Sequence, residues 1–497
     1  MELSIFKTKA TNALSLIIVI IIGLILFGYT FCRATHLSFT HDESLSFNKY
    51  VFTNASFNDI IAMKFSMANN HILNTLLMAL FYHLFGASEL SLRFPNLIAH
   101  IIYMVFTALW LWRFENKLLF VTGFIILNCN PYLLEFFSLA RGYGLSIGFM
   151  SISIFYFFRY ASNQKMKFMV LALFMGILAM ISNITLMYYM LGLYCAFNFV
   201  FLSNLANKKQ DMSSNFKDWF RMNLPVLLSI ILAFAFFYEP IRRLLEEHQL
   251  YFGGNYFWDD TVSSLITFEL YSHGIKSAFP VIRLMIVLFA IIGIALTFLL
   301  VFIKKKNPHL QLTAYAFVLI MVPCAIMVIS HYLTGSKLLT TRTAFFFVPL
   351  FLIYLISLLN LMSFKAVGNY ISAICLCIFS GLFVYNCYLN CNVTGVEEWM
   401  YDASGKDAIS AINKDYVSNP KNRQKISVGI IWIAEPSLNY YKEVNQYQWL
   451  NEFDRNGVTG VYDYYYLGKE MIKDMPGIKL RLMAYYPNTG LYLFSKE

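Results

Sequence analysis

The chain has 497 residues, of which 58% are hydrophobic, 18% aromatic and only 13% charged. Soluble chains carry about 25% charged residues, so a string of soluble domains is excluded, and 48 Phe with 33 Tyr exclude disorder. Lys and Arg number 38 against 28 Asp and Glu, a net charge of +10, which points to a nucleic acid, a membrane surface or a topology signal.

Apolar runs of the ~20 residues that cross a bilayer recur through the first 390 positions. Eleven spans are predicted, near 13–32, 92–112, 117–131, 143–159, 168–183, 186–206, 222–239, 281–303, 311–333, 343–362 and 367–390. The first is too long for a signal-peptide core and no small-x-small site follows it, so it reads as a retained span. The run His71–Phe85 is ambiguous, and charge assigns it. If it lies on the outer face as an amphipathic helix, the inner segments hold fifteen basic residues, among them Lys7, Lys9, Arg113, Lys208, Lys209, Lys304-Lys305-Lys306 and Lys365, against four acids. If it spans, every later basic loop moves outside, against the positive-inside rule. The excess charge is therefore an orientation signal, with no basic patch left for a nucleic acid. The N-terminus is expected inside and the C-terminal end outside.

The fold class expected is an all-α polytopic membrane protein of about eleven spans over residues 1–390, with outer loops at 33–91 and 240–280. Residues 391–497 read as a small extracytoplasmic α/β domain. It has helices at Ser404–Lys414 and Pro436–Val444, and a strand-like run Lys425–Trp432. A closing hairpin places Leu480–Tyr486 and Leu491–Ser495 around Pro487–Gly490. The eight cysteines show no CxxC pair or zinc spacing; Cys387 and Cys391 lie one helical turn apart.

Ionisable residues at membrane depth are costly, so each one asks for a role. Asp42, Glu43, Arg93, Glu135, Arg141, Glu239 and Arg342 come from distant parts of the chain yet fall at the outer ends of spans. The Asp42-Glu43 pair abuts the membrane, where desolvation raises a carboxylate pKa and makes it a better proton acceptor. Arg141 is followed by Gly142-Tyr143-Gly144, which permits close backbone approach, and a guanidinium suits phosphate. Asn70-His71 opens the surface helix, and Lys337 with Thr340-Thr341-Arg342 precedes Phe345-Phe346-Phe347. Cations and carboxylates on one face describe a site for an anionic, lipid-linked substrate.

In order and spacing these motifs resemble the GT-C superfamily of integral-membrane glycosyltransferases, in the branch of protein O-mannosyltransferases and the lipid A aminoarabinose transferase. The resemblance rests on Asp42-Glu43, on Asn70-His71 followed by Gly86-Ala-Ser-Glu89-Leu-Ser-Leu-Arg93-Phe-Pro95, on Asn130-Pro131 leading to Ala140-Arg141-Gly142-Tyr143, and on Arg342 before Pro349. It implies a polyprenyl-phosphate sugar donor, transfer outside the cytoplasm to a lipid, glycan or protein acceptor, and residence in a bacterial inner membrane. It implies Asp42 as the base, with Glu43 beside it orienting substrate or loop. Asn70, His71, Arg93, Glu135, Arg141, Tyr143, Lys337 and Arg342 then bind substrate. Ile72 stands where many relatives carry Pro, and Tyr143 and Gly144 where many carry an Asp. A divalent metal ion shared by Asp42 and Glu135 is left open, as are two other readings: an O-antigen ligase or polymerase working from the 240–280 loop, and a lipid or glycan transporter.

Overall fold

The computed structural model describes residues 2–65, 68–205, 212–271, 279–302, 307–363, 366–418, 425–456, 460–473 and 478–497. Of the charges used above for orientation, Lys208, Lys209, Asp211, Lys304-Lys305-Lys306 and Lys365 lie outside them.

Each of the eleven expected spans overlaps a helix, although 117–131 and 343–362 each run across a break between two helices. Eight helices among the described residues are long and apolar enough to cross a membrane, from Ala10–His36 to Val367–Asn390. Three of the expected spans are shorter. Met166–Ser182 and Phe347–Met362 have 17 and 16 residues, about 25 Å at 1.5 Å per residue. Lys117–Asn128 bends by 65° into Pro131–Phe137, because Pro131 follows the extended Asn130, whose side chain caps the new helix through Leu133 N. Gly142–Asn163 is the most enclosed span, whereas Phe279–Leu300 has only 6% of its apolar window buried and turns its side chains outward. A polytopic helical membrane protein results, its outer apolar surface facing lipid.

Beyond the first helix, Glu2–His36, the chain turns through Thr40 into the short helix His41–Ser46. Thr40 and Glu43 form a reciprocal capping box that fixes where this helix starts. The apolar helix Ile72–Phe85 follows after the π-helical turn Phe47–Val51 and the short helix Phe57–Ile61, with His71 at its N-cap.

The C-terminal region carries a four-stranded sheet: β1 (Val428–Ile430), β2 (Tyr464–Gly468), β3 (Leu480–Tyr486) and β4 (Leu491–Lys496), in the order β1-β2-β4-β3. β1 pairs parallel with β2, and β4 pairs antiparallel with both β2 and β3. The hairpin and the helices Gly405–Ser418 and Glu435–Val444 fall where the sequence puts them. β2 has no alternation to announce it, since its first four residues are all buried. One apolar cluster joins Ile409, Leu438, Tyr440 and Tyr466 of this region to Phe39, Phe47, Met78, Leu92 and Ala140 of the helical part. Phe39 and Tyr440 stack with ring centroids 4.1 Å apart. The sheet region is thus packed onto the loop that carries Asp42.

Candidate active site

Asp42 lies in the first turn of His41–Ser46, its carboxylate nearly buried. Its Oδ2 is 3.4 Å from Arg141 Nη2 and 3.7 Å from Arg342 Nη2, while Asn69 Nδ2 donates to Oδ1 at 3.5 Å. Burial alone would push the Asp42 carboxyl up, yet the guanidiniums of Arg141 and then Arg342 outweigh it and hold it below the usual carboxylate range. The sequence expectation of a carboxylate raised by desolvation is corrected here: the two arginines decide the sign.

Arg141 is the N-cap residue of Gly142–Asn163. Its Nη1 donates to Asp42 O at 3.2 Å and to Ser46 Oγ at 3.3 Å. Gly142 lets the chain pass close to His71: a Cβ there would overlap Ser182 O and lie 2.6 Å from His71 Cβ. A Cβ on Gly144 would stand 2.6 Å from Phe136 O. His71 Nδ1 donates to Ser182 O at 3.0 Å, and its ring meets Tyr143 edge-on at 4.6 Å. Desolvation, with Arg141 next, pushes the His71 pKa well below its ordinary value, so the ring is neutral and presents a lone pair at Nε2. Asn70, His71, Tyr143, Asn183 and Thr343 line a cavity of about 50 Å³, room for a few waters. Asn70 holds the turn, donating to Ile60 O at 3.3 Å and accepting from Thr75 Oγ1 at 2.6 Å.

Arg342 closes the other side. It follows Thr341, a β-branched residue at φ 47°, a left-handed conformation that costs energy and collects at functional sites. Its guanidinium lies between the rings of Phe252 and Trp399, 5.1 and 4.9 Å from their centroids. Arg342 Nη1 pairs with Glu398 Oε2, and Arg342 N donates to Glu398 Oε1 at 3.3 Å. The Tyr132 hydroxyl donates to the same carboxylate.

Among the buried polar atoms here that have no hydrogen-bond partner among the described residues are Asp42 Oδ2, Arg141 Nε, Arg141 Nη2 and His71 Nε2. Buried polar groups are nearly always satisfied. Asp42 Oδ2 and Arg141 Nη2 face each other at the 3.4 Å ion-pair distance, which leaves Arg141 Nε and His71 Nε2 as the polar atoms open to a ligand.

Other expected site residues go elsewhere. Arg93 and Glu43 form a fully buried bidentate pair, Nε–Oε1 and Nη2–Oε2 both 2.8 Å. Arg93 spends its remaining donors on the carbonyls of Ala34, Leu37 and Ser38. Glu43 also accepts from Thr40 N at 2.9 Å and Ala140 N at 2.5 Å. Both residues hold the Asp42 loop in place rather than meeting a ligand. Glu135 pairs with the buried Arg33 at 2.9 Å and accepts from Glu397 N at 3.1 Å and from the Tyr271 hydroxyl. Lys337 is exposed and donates to Asn255 Oδ1 at 2.8 Å, beside the backbone bridge between Gly254 and Leu338. It pins the 240–280 loop. Asp42 and Glu135 therefore face different arginines, and no three His, Cys, Asp or Glu residues converge among those described. Arg33 and Glu398 escaped the sequence reading; the acidic pair Glu397-Glu398 just beyond the last span was the available signal for the second.

No protein-family profile matches the chain, and no curated protein matches it. Among solved structures the chain is similar to ArnT from Cupriavidus metallidurans bound to undecaprenyl phosphate. That match has 12% identity and a TM-score of 0.44, over 97% of either chain. The apo state of the same enzyme matches at 10% identity with a TM-score of 0.43, again over 97% of either chain. Likeness at this level says nothing of what the present chain acts on; the side chains above carry that question.

Proposed function

We propose that this protein is an integral-membrane glycosyltransferase that moves a sugar from a polyprenyl-phosphate donor to an acceptor on the extracytoplasmic face. The observation that carries the reading is the placement of Asp42 against Arg141 and Arg342, with Arg141 Nε and His71 Nε2 beside it and without hydrogen-bond partners among the described residues. Two guanidiniums fit a phosphate leaving group, and a neighbouring carboxylate fits an acceptor hydroxyl.

The bond from the anomeric carbon to the donor phosphate oxygen breaks, and its electron pair leaves with the phosphate, held by Arg141 and Arg342. The acceptor oxygen forms the new bond from the opposite side, and its proton passes to Asp42. One displacement of this kind inverts the anomeric carbon. Asp42 gains basicity as the phosphate takes over the arginines' charge, which relieves the weakness those arginines impose in the empty site. Arginines fill the charge-neutralising role that a divalent ion serves elsewhere. The arginines of the 240–280 loop do not compete for this assignment: Arg242 and Arg243 pair with Glu239 and Glu246 on an exposed helical turn.

The test is mass spectrometry of surface glycans, glycolipids and glycoproteins in a deletion strain. One sugar should be missing, restored by the wild-type chain and not by Asp42→Asn. Restoration by Asp42→Asn would remove Asp42 as the base, and an unchanged glycan profile would remove the activity.

A further inference from the structure

The Glu397–Asp402 turn follows the last span and reaches back into the site. Its Glu398 carboxylate, 4% exposed, makes contacts that a phosphate oxygen would make: the side chain of Arg342, the Arg342 backbone N–H and the Tyr132 hydroxyl. We propose that Glu398 is a displaceable stand-in for the donor phosphate, and that donor binding expels the Glu397–Asp402 turn from Arg342. This rests on the polyprenyl-phosphate reading above.

Charge balance is the first reason. Two carboxylates, Asp42 and Glu398, face two guanidiniums, Arg141 and Arg342. The cluster is neutral as it stands. A phosphate added while Glu398 stays leaves an uncompensated buried anion, which is strongly unfavourable. Exchange of one anion for another keeps the balance.

The second reason is the unequal state of the two arginines. Arg141 keeps Nε without a hydrogen-bond partner and meets Asp42 through Nη2 only at the 3.4 Å ion-pair distance, so it has a donor to offer an incoming phosphate at once. Arg342 is occupied, between two aromatic rings and against Glu398. A donor phosphate meets Arg141 first and then competes with Glu398 for Arg342.

The third reason is the way the turn is held. Its ends are tied, Glu397 N to Glu135 and Asp402 Oδ2 to His41 N at 2.6 Å. Between them Trp399 leaves helical geometry (φ −128°, ψ 35°), so the turn is broken next to Glu398. Asp402 also accepts from Ser437 at 3.1 Å, within the C-terminal region. Release of Glu398 therefore moves a segment joined to the sheet region, and donor occupancy is relayed to the part of the chain that overlies the Asp42 loop.

The experiment uses the full chain in lipid nanodiscs with undecaprenyl phosphate as the probe. Glu398→Gln, which keeps shape and loses charge, should bind it about tenfold more tightly than wild type, the scale of one charge-assisted hydrogen bond. Hydrogen exchange on the wild type needs no variant: amides 396–403 should exchange faster once the probe is bound. Equal or weaker binding by Glu398→Gln, or unchanged or slower exchange in a wild type that binds, overturns the latch alone. A wild type that does not bind the probe overturns the donor reading itself.

Discussion

Arg141 grips Asp42 at two points, donating from Nη1 to its carbonyl at 3.2 Å and setting Nη2 3.4 Å from its carboxylate. On the proposed reading, the side chain that binds the leaving phosphate also positions Asp42 and keeps its carboxyl low. Because Arg141 also starts Gly142–Asn163, the loop and the most enclosed span are tied together at Asp42.

Asp42→Asn should lower transfer by about 10³-fold, within the range for a lost general base. Undecaprenyl phosphate binding should survive, since both arginines remain. Transfer rates and probe binding on one preparation check this; parallel loss of both would make Asp42 a structural residue.

Arg141→Lys keeps the charge and loses the planar fork that reaches the carbonyl of Asp42, Ser46 and a phosphate together. Donor affinity should fall by roughly tenfold or more. Titration with undecaprenyl phosphate reads it, and wild-type affinity would show that only charge matters.

Glu43→Gln breaks a fully buried ion pair and strands Arg93. The cost is about 3–5 kcal/mol, seen as a lowered unfolding temperature in detergent. Because the pair's role is to hold the loop, Glu43→Gln combined with Arg93→Met should recover part of that loss. A double variant less stable than the single would argue that the pair does more than hold the loop.

Gly142→Ala should impair both folding and activity, because the new methyl overlaps Ser182 O and crowds His71. Gly335→Ala provides a contrast: nothing lies within 4 Å of its Cβ, and its φ of 71° makes the cost purely conformational, about 1 kcal/mol. Thermal unfolding of the two variants compares them.

Glu269 supplies a pH dependence. Burial pushes its carboxyl up to about 8, opposed by the Asn130 amide. Its folded pKa lies above the unfolded value, so the native state binds the extra proton and stability falls as pH rises from about 4.5 to about 8. Asp42, held low, behaves oppositely: its stabilisation is present above its unfolded value and is lost only as pH falls through the lower folded one. Glu269→Gln should flatten the decline above pH 5 in a thermal-unfolding series, and an unchanged slope would remove Glu269 as its source.

Much of this was written along the chain. Apolar runs of fixed length and the closing hairpin act through neighbours in sequence, so the helices and much of the sheet region were legible, while the break at Asn130-Pro131 was not. Asp42, Arg141 and Arg342 were legible as a group because a charge at a span end is costly wherever it occurs. Their partners were not. Glu43 read as orienting either the substrate or the loop, and only packing against Arg93, from a helix fifty residues on, consumes both of its oxygens and ties it to the loop. Glu135 looked like a ligand for the donor, and the unsuspected Arg33 takes it. The sequence by itself determined that this chain crosses a membrane and that its isolated charges fall at the ends of spans, since hydropathy and charge act residue by residue. Which carboxylate stays open, which is locked in a buried pair, and that Glu398 returns from the far end to cover Arg342, only the tertiary structure decided, because ion pairing depends on distance in space.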